Sequence, residues 1–442
     1  MTQPWARSGR FVPRTFVRPL LRFANREASS GIALIAAAAL GLIWANINID
    51  SYEAFFAAPI RFELGPIHLD ETVRGFVNDG LMAIFFFVVG LEIKREFVVG
   101  DLRELRTALL PILAAVGGMV VPALIYLALA GGVAGAGRGW GVPMATDIAF
   151  AVGVLTLVGK RIPVGAKLFL LTLAIADDIG AIFVIAVFYS GPLSFGWLVV
   201  AVVSLAAVWG AGRIGIRSLG FYLPLALVAW IATLESGVHA TLTGVALGLL
   251  TPVSPFYALS EFRSQSGPLL HKLVSEDDDV SERESADFSL LTIAEFARES
   301  VSPLARMEPA FSLWSAFAVV PVFALANAGF DFGAEPINLT SPIALGVGLG
   351  LLVGKTVGVS LFTFLGTASG LALPPGMTPR HVLGVSILAG IGFTVALFVA
   401  GLAFENPEHF VDARVGIFAT SVIAALLGLA VLRFNGSRGA GV

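Results

Sequence analysis

The sequence has no cysteine. That excludes disulfides and thiol nucleophiles, although it fixes no compartment. Charge is scarce as well: Asp, Glu, Lys and Arg make up 13% of the 442 residues, and the formal net charge is only -3. So small a net charge points to no nucleic-acid partner, and no zinc-type spacing of ligands is present. What remains is apolar, 57% of residues, with a mean hydropathy of +0.87, far outside the soluble globular range. The composition is that of a polytopic membrane protein.

A helix needs roughly 20 apolar residues to cross the hydrocarbon core, and a scan for such runs finds about twelve. The expected fold is therefore all-α and polytopic. A basic tail occupies 1–26, spans one to eight fall in 27–251, an acidic segment fills 252–302, spans nine to twelve fall in 303–433, and 434–442 is a tail. The arginine-rich start followed by the run from Ile32 to Ala45 has the look of a signal peptide. Because many spans follow, it reads as an uncleaved first helix. Most of the 28 Lys and Arg residues lie on the side of the two termini, which places both termini in the cytoplasm. The acidic core SEDDDVSERESAD is poor in apolar residues and reads as a disordered, solvated loop. The six arginines of the N-terminal tail suit contact with anionic lipid.

Between spans one and two, Ile60, Phe62 and Leu64 alternate with Arg61 and Glu63. After Gly65-Pro66, Ile67 and Leu69 alternate with His68 and Asp70. This predicts a β-hairpin at about 58–70 outside the membrane, with a plain polar loop as the alternative. An isolated hairpin is marginal in water and its open edges invite another chain, so a homodimer through the hairpin is expected.

Four ionisable residues interrupt apolar runs: Asp147, Asp177, Asp178 and Lys355. An aspartate near the bilayer centre costs about 2.5 to 3.5 kcal/mol on insertion scales, so such residues usually mark an ion or substrate path. Asp147 follows Pro143 and Thr146 in span four, and span eleven carries Gly390, Gly392 and Thr394. Interrupted spans in corresponding places of two halves point to an inverted-repeat transporter, with spans three to five and ten to twelve as the repeats. Glycine-rich spans also serve close helix packing.

Adjacent carboxylates such as Asp177 and Asp178 sit about 100° apart around a helix and can border one cavity. Hard cations prefer oxygen ligands, and the same oxygens bind protons. A site that holds either, and opens alternately to each side, is an exchanger. Lys355 either pairs with one aspartate when the site is empty or fixes the packing as a permanent salt bridge. Asp147 is either a ligand or a charge that compensates facing helix ends. At the end of span two, Glu92, Arg95 and Glu96 share one helix face, as a pH-sensing cluster or a solvated anchor. An intramembrane aspartyl protease would need its aspartates on two facing helices, whereas here the closest pair is adjacent on one. A proton- or sodium-coupled symporter of an organic anion is the alternative transporter, and a channel would conduct without obligatory counter-transport.

The motifs GLEIKRE, GGMVVPAL, ATDIAFA, LAIADDIGAI, SGVHATLTG, FALANAG, GKTVGVSLF and GIGFT together resemble the NhaA family of bacterial sodium–proton antiporters, over nearly the whole chain. The resemblance implies a twelve-helix dimer of the inner membrane with crossed, interrupted spans four and eleven. It implies transport of sodium or lithium against protons, with no cofactor and no enzymatic activity. By residue, Asp177 and Asp178 match the cation- and proton-binding pair, Thr146 and Asp147 the helix crossing, and Lys355 the lysine that pairs with the first aspartate. Glu92, Arg95, Glu96, Glu308 and His239 match positions tied to pH response. The chain departs from the family at Pro309 and Ser312, where relatives carry histidines, and in its acidic insertion.

Overall fold

The computed structural model describes residues 27–64, 67–159, 162–216, 218–275, 280–331, 333 and 338–435. The basic tail 1–26, the Gly65-Pro66 turn, the acidic residues 276–279 and most of the C-terminal tail lie outside the described residues. Helix α1 (Glu27–Ile47) is followed by the short α2 (Ile49–Phe56) and a two-stranded sheet of β1 (Pro59–Leu64) and β2 (Ile67–Thr72). Then come α3 (Val73–Val98) and α4 (Leu105–Ala130). A 3-10 stretch over Gly137–Met144 leads through a break into α5 (Ile148–Val158). The chain continues with α6 (Val164–Phe188), α7 (Phe195–Arg213), α8 (Leu219–Glu235) and α9 (Thr241–Leu250). Helices α10 (Leu259–Ser275) and α11 (Val280–Glu299) precede α12 (Pro303–Ala328) and α13 (Pro342–Ala368). Last are α14 (Pro379–Leu388), α15 (Phe393–Ala403) and α16 (Pro407–Asn435).

Among the described residues, 9 helices are long and apolar enough to cross a membrane, and α14 with α15 form one further span bent by 49°. The shorter apolar helices α8 and α9 fall where the remaining two of the twelve expected runs lie. Length and composition alone therefore stop short of twelve. Many of the exposed large residues on these helices are apolar, such as Ile32, Leu40, Leu124 and Val202, as a lipid-facing surface requires.

The hairpin is present, with antiparallel register from Pro59 opposite Thr72 to Leu64 opposite Ile67. It runs past Asp70 because Thr72 both closes the ladder and caps α3, accepting a hydrogen bond from the Gly75 amide. The acidic segment differs from the expectation of a disordered loop over 252–302. It carries α10 and α11 packed against each other. Apolar residues in the flanks explain the difference: the Phe296 ring meets Tyr257 edge-on at 5.3 Å, and the Phe256 amide donates to the Glu299 carbonyl at 2.9 Å.

Helix α4 lies along α13, and their backbones touch where Gly117 and Gly358 meet. A Cβ on either glycine would collide with the other's carbonyl oxygen. The same close approach joins α3 to α9, at Gly90, Gly244 and Gly248. Small residues that let helices approach closely are a usual device in membrane bundles. Contacts also repeat between the two proposed halves: α4 packs on α6 as α13 packs on α16, and α5 meets α16 as α14 meets α6. If α8, α9 and the bent pair each cross once, α13 runs opposite to α4, which gives the repeats inverted topology.

Candidate functional site at the helix crossing

The backbone leaves the helix at Ala145 and Asp147, both extended, and again between Leu388 and Phe393. These two interruptions touch. The Asp147 amide donates to the Ile391 carbonyl at 2.7 Å. Asp147 Oδ1 accepts from the Phe150 amide at 3.0 Å, and its Oδ2 accepts from the Thr394 amide at 3.2 Å and hydroxyl at 2.5 Å. One buried carboxylate thus caps the first turns of α5 and α15 together. Both positive helix ends face it. Of the two roles open to Asp147, the geometry matches charge compensation, since both of its oxygens are taken.

The opposite ends are served by Thr146. Its hydroxyl lies 2.8 Å from the Ala389 carbonyl, an acceptor left over where α14 stops, and 2.7 Å from Asp177 Oδ2. Asp177 and Asp178 sit mid-way along α6, both buried. Lys355 follows a π turn over Gly350–Gly354 in α13 and contacts Asp177 Oδ2, with both side chains fully buried. Asp177 Oδ1 is buried without a hydrogen-bond partner among the described residues. Asp178 is next to it at 5% exposure. The structure thus brings Thr146, Asp147, Asp177, Asp178 and Lys355 to one place. Carboxylate oxygens, a hydroxyl and backbone carbonyls at broken helix ends are the donor set of a small hard cation, and an amine beside them competes for the same oxygen.

The residues matched to pH response fall into two groups. Arg95 Nη1 bonds Glu308 Oε1 at 2.6 Å, joining α3 to α12, with Glu92 and Glu96 on the same helix as Arg95. His239 does not join them. It lies in the link between α8 and α9, its Nδ1 4.0 Å from Asp79 Oδ1. Asp79 and Glu92 are about 20 Å apart along α3, at 1.5 Å per residue.

Sequence reasoning passed over Asp79 and Asn78, although an acid inside the apolar run GFVNDGLMAIFFF is the same signal that marked Asp147. Arg414 is 8% exposed, donates to the carbonyls of Asn327 and Gly329, and lies over the rings of Phe330 and Phe410. With Tyr52 bonding the Leu325 and Ala326 carbonyls, Arg74 that of Ala326 and Asn46 that of Phe330, it closes the C-terminal end of α12.

Comparison with known proteins agrees in extent with this architecture. An Anaeromyxobacter protein named Na(+)/H(+) antiporter NhaA is 46% identical over 427 residues, covering 95% of this chain and 92% of its own. A Rhodopirellula baltica protein of the same name is 43% identical over 419 residues, covering 94% of each. The solved sodium proton antiporter MjNhaP1 of Methanocaldococcus jannaschii is 14% identical, with coverage of 94% and 93% and a TM-score of 0.48, too low to bear on the fold. The family model described as Na+/H+ antiporter 1 matches residues 21–432, a stretch that contains the crossing and every span around it, and the chain is a member of that family.

Proposed function

We propose that this protein exchanges sodium or lithium for protons by alternating access, in the bacterial inner membrane with both termini cytoplasmic. The observation that carries the reading is the set of contacts on Asp177: one oxygen held by Lys355 and Thr146, the other buried and unpartnered, with Asp178 beside it. An ammonium already occupying one carboxylate oxygen is a removable occupant. A sodium ion held between Asp177 and Asp178 takes that place, with oxygen donors from Thr146 and the broken helix ends around it. Protons leave from Asp178 and from the Asp177–Lys355 pair to the side the site then faces. Two protons against one sodium ion move one net charge per cycle, so the exchange is electrogenic. The Glu92, Arg95, Glu96 and Glu308 cluster lies at the far end of α3 from the hairpin, where it regulates the cytoplasmic approach.

The family match and the relatives' names support the activity. The test uses Asp178→Asn, which removes a charged ligand while keeping the side-chain shape. The variant is expected to fold and to lose the calorimetric sodium signal of the crossing. Near-wild-type affinity would refute the assignment. In proteoliposomes, a sodium pulse must move protons with no organic solute present, and a requirement for an organic anion would favour symport.

A further inference from the structure

On the hairpin side of the crossing lies a cavity of about 170 Å³, lined among others by Asn78, Asp79, His239, Asn327, Leu397 and Phe398. That volume holds several waters at about 30 Å³ each. Its wall reaches Gly75, which packs against the Glu71 carboxylate where β2 joins α3. Phe398, also in its lining, is one turn of α15 beyond Thr394, about 6 Å along the axis.

Asp79 lies in a π turn over Val77–Leu81, a widening that is frequent at functional sites. Its carbonyl accepts from Trp230 Nε1 at 3.2 Å, which fixes the turn and leaves the carboxylate beside the cavity. Arg74, on the same helix, does not neutralise it: its Nη1 and Nη2 bond Glu53 at 3.0 Å and its Nε reaches the Ala326 carbonyl. The 4.0 Å between Asp79 and His239 Nδ1 is too long for a hydrogen bond, and that nitrogen is buried with no partner among the described residues. Asn327 donates to Asn78 Oδ1 at 2.8 Å and to the Phe323 carbonyl at 2.9 Å, so the neighbouring amides are oriented by each other.

A carboxylate, amide oxygens and room for water make a site for a partly hydrated hard cation. We propose that this cavity binds a sodium ion through Asp79, as a waiting position on the hairpin side that is separate from the Asp177–Asp178 pair. The proposal rests on the exchanger reading for its purpose, and its test has one arm that does not.

The independent arm is sodium-23 relaxation in detergent, which registers weak, fast-exchanging binding. Asp178→Asn protein is expected to retain line broadening that falls when Asp79→Asn is added and returns with Asp79→Glu. Broadening that is the same with and without Asp79 overturns the proposal, even if the protein exchanges sodium. Asp79-dependent broadening, together with unsubstituted protein that shows no exchange, supports the site and refutes the exchanger reading. The second arm compares right-side-out with everted vesicles. Asp79→Asn is expected to raise the sodium KM on the hairpin side about tenfold, the scale of losing one charged ligand, and on the other side by much less. An equal rise on both sides, or none, overturns the proposal.

Discussion

Asp147 carries two helix caps on one side chain, which gives it a structural effect separable from ion binding. Asp147→Ala removes the acceptor for the Phe150 amide and for both Thr394 donors. At about 1 kcal/mol per lost cap, the expected loss of stability is about 2 kcal/mol, read by denaturant unfolding in detergent. Thr394→Val removes the hydroxyl bond only, so it should cost less than Asp147→Ala. An Asp147→Ala protein as stable as the parent would contradict the double-cap role. Asp147, Asp177, Asp178 and Lys355 were legible in the sequence because each interrupts an apolar background, a contrast that needs no tertiary knowledge. Their pairings were less so. Thr394 and Asp147 are 247 positions apart, and no local pattern says that the hydroxyl of one will meet the carboxylate of the other.

At the scale of elements, the hairpin joins the spans mainly at the first turn of α3, so its tip should be dispensable to them. If the chain dimerises through the hairpin, deleting residues 60–69 is expected to turn the dimer into a monomer while transport persists, as measured by light scattering and by proton flux in proteoliposomes. A dimer of unchanged mass would remove the hairpin from that role. Helices α10 and α11 are anchored at their base by Tyr257 and Phe296. Removing 276–287 should accordingly leave maximal flux nearly intact, and a collapse of flux in a folded protein would make the segment a working part. The hairpin was readable because alternation with period two is a local signal. The helix pair α10 and α11 was not, since acidic density over a dozen residues hid the aromatic anchors on either side. The break in span four was readable from Pro143 and the break in span eleven from its glycines, but that the two breaks meet is a property of packing.

For the whole molecule, the proposed competition between sodium and protons at shared oxygens predicts how transport follows pH. Ligands must be deprotonated to bind, so below the pKa of the site each competing proton weakens apparent sodium affinity by about tenfold per pH unit, and two protons by about a hundredfold. Above it the dependence flattens. Maximal rate at saturating sodium should vary much less than affinity. Sodium titrations at each pH separate the two, and constant affinity with a steeply pH-dependent maximal rate would hand control to the Arg95–Glu308 region instead. The glycine contacts between α4 and α13, and between α3 and α9, constrain the same cycle mechanically. Where bare backbones touch, no side chain can rotate to take up a displacement, so each of these pairs must travel as a welded unit. Slack exists where rings meet, as at Phe398 against Phe86, Phe323 and His239. If the exchange proceeds by alternating access as proposed, these ring contacts of Phe398 are where α15 can shift against α3 and α12 while the glycine-packed pairs stay fixed.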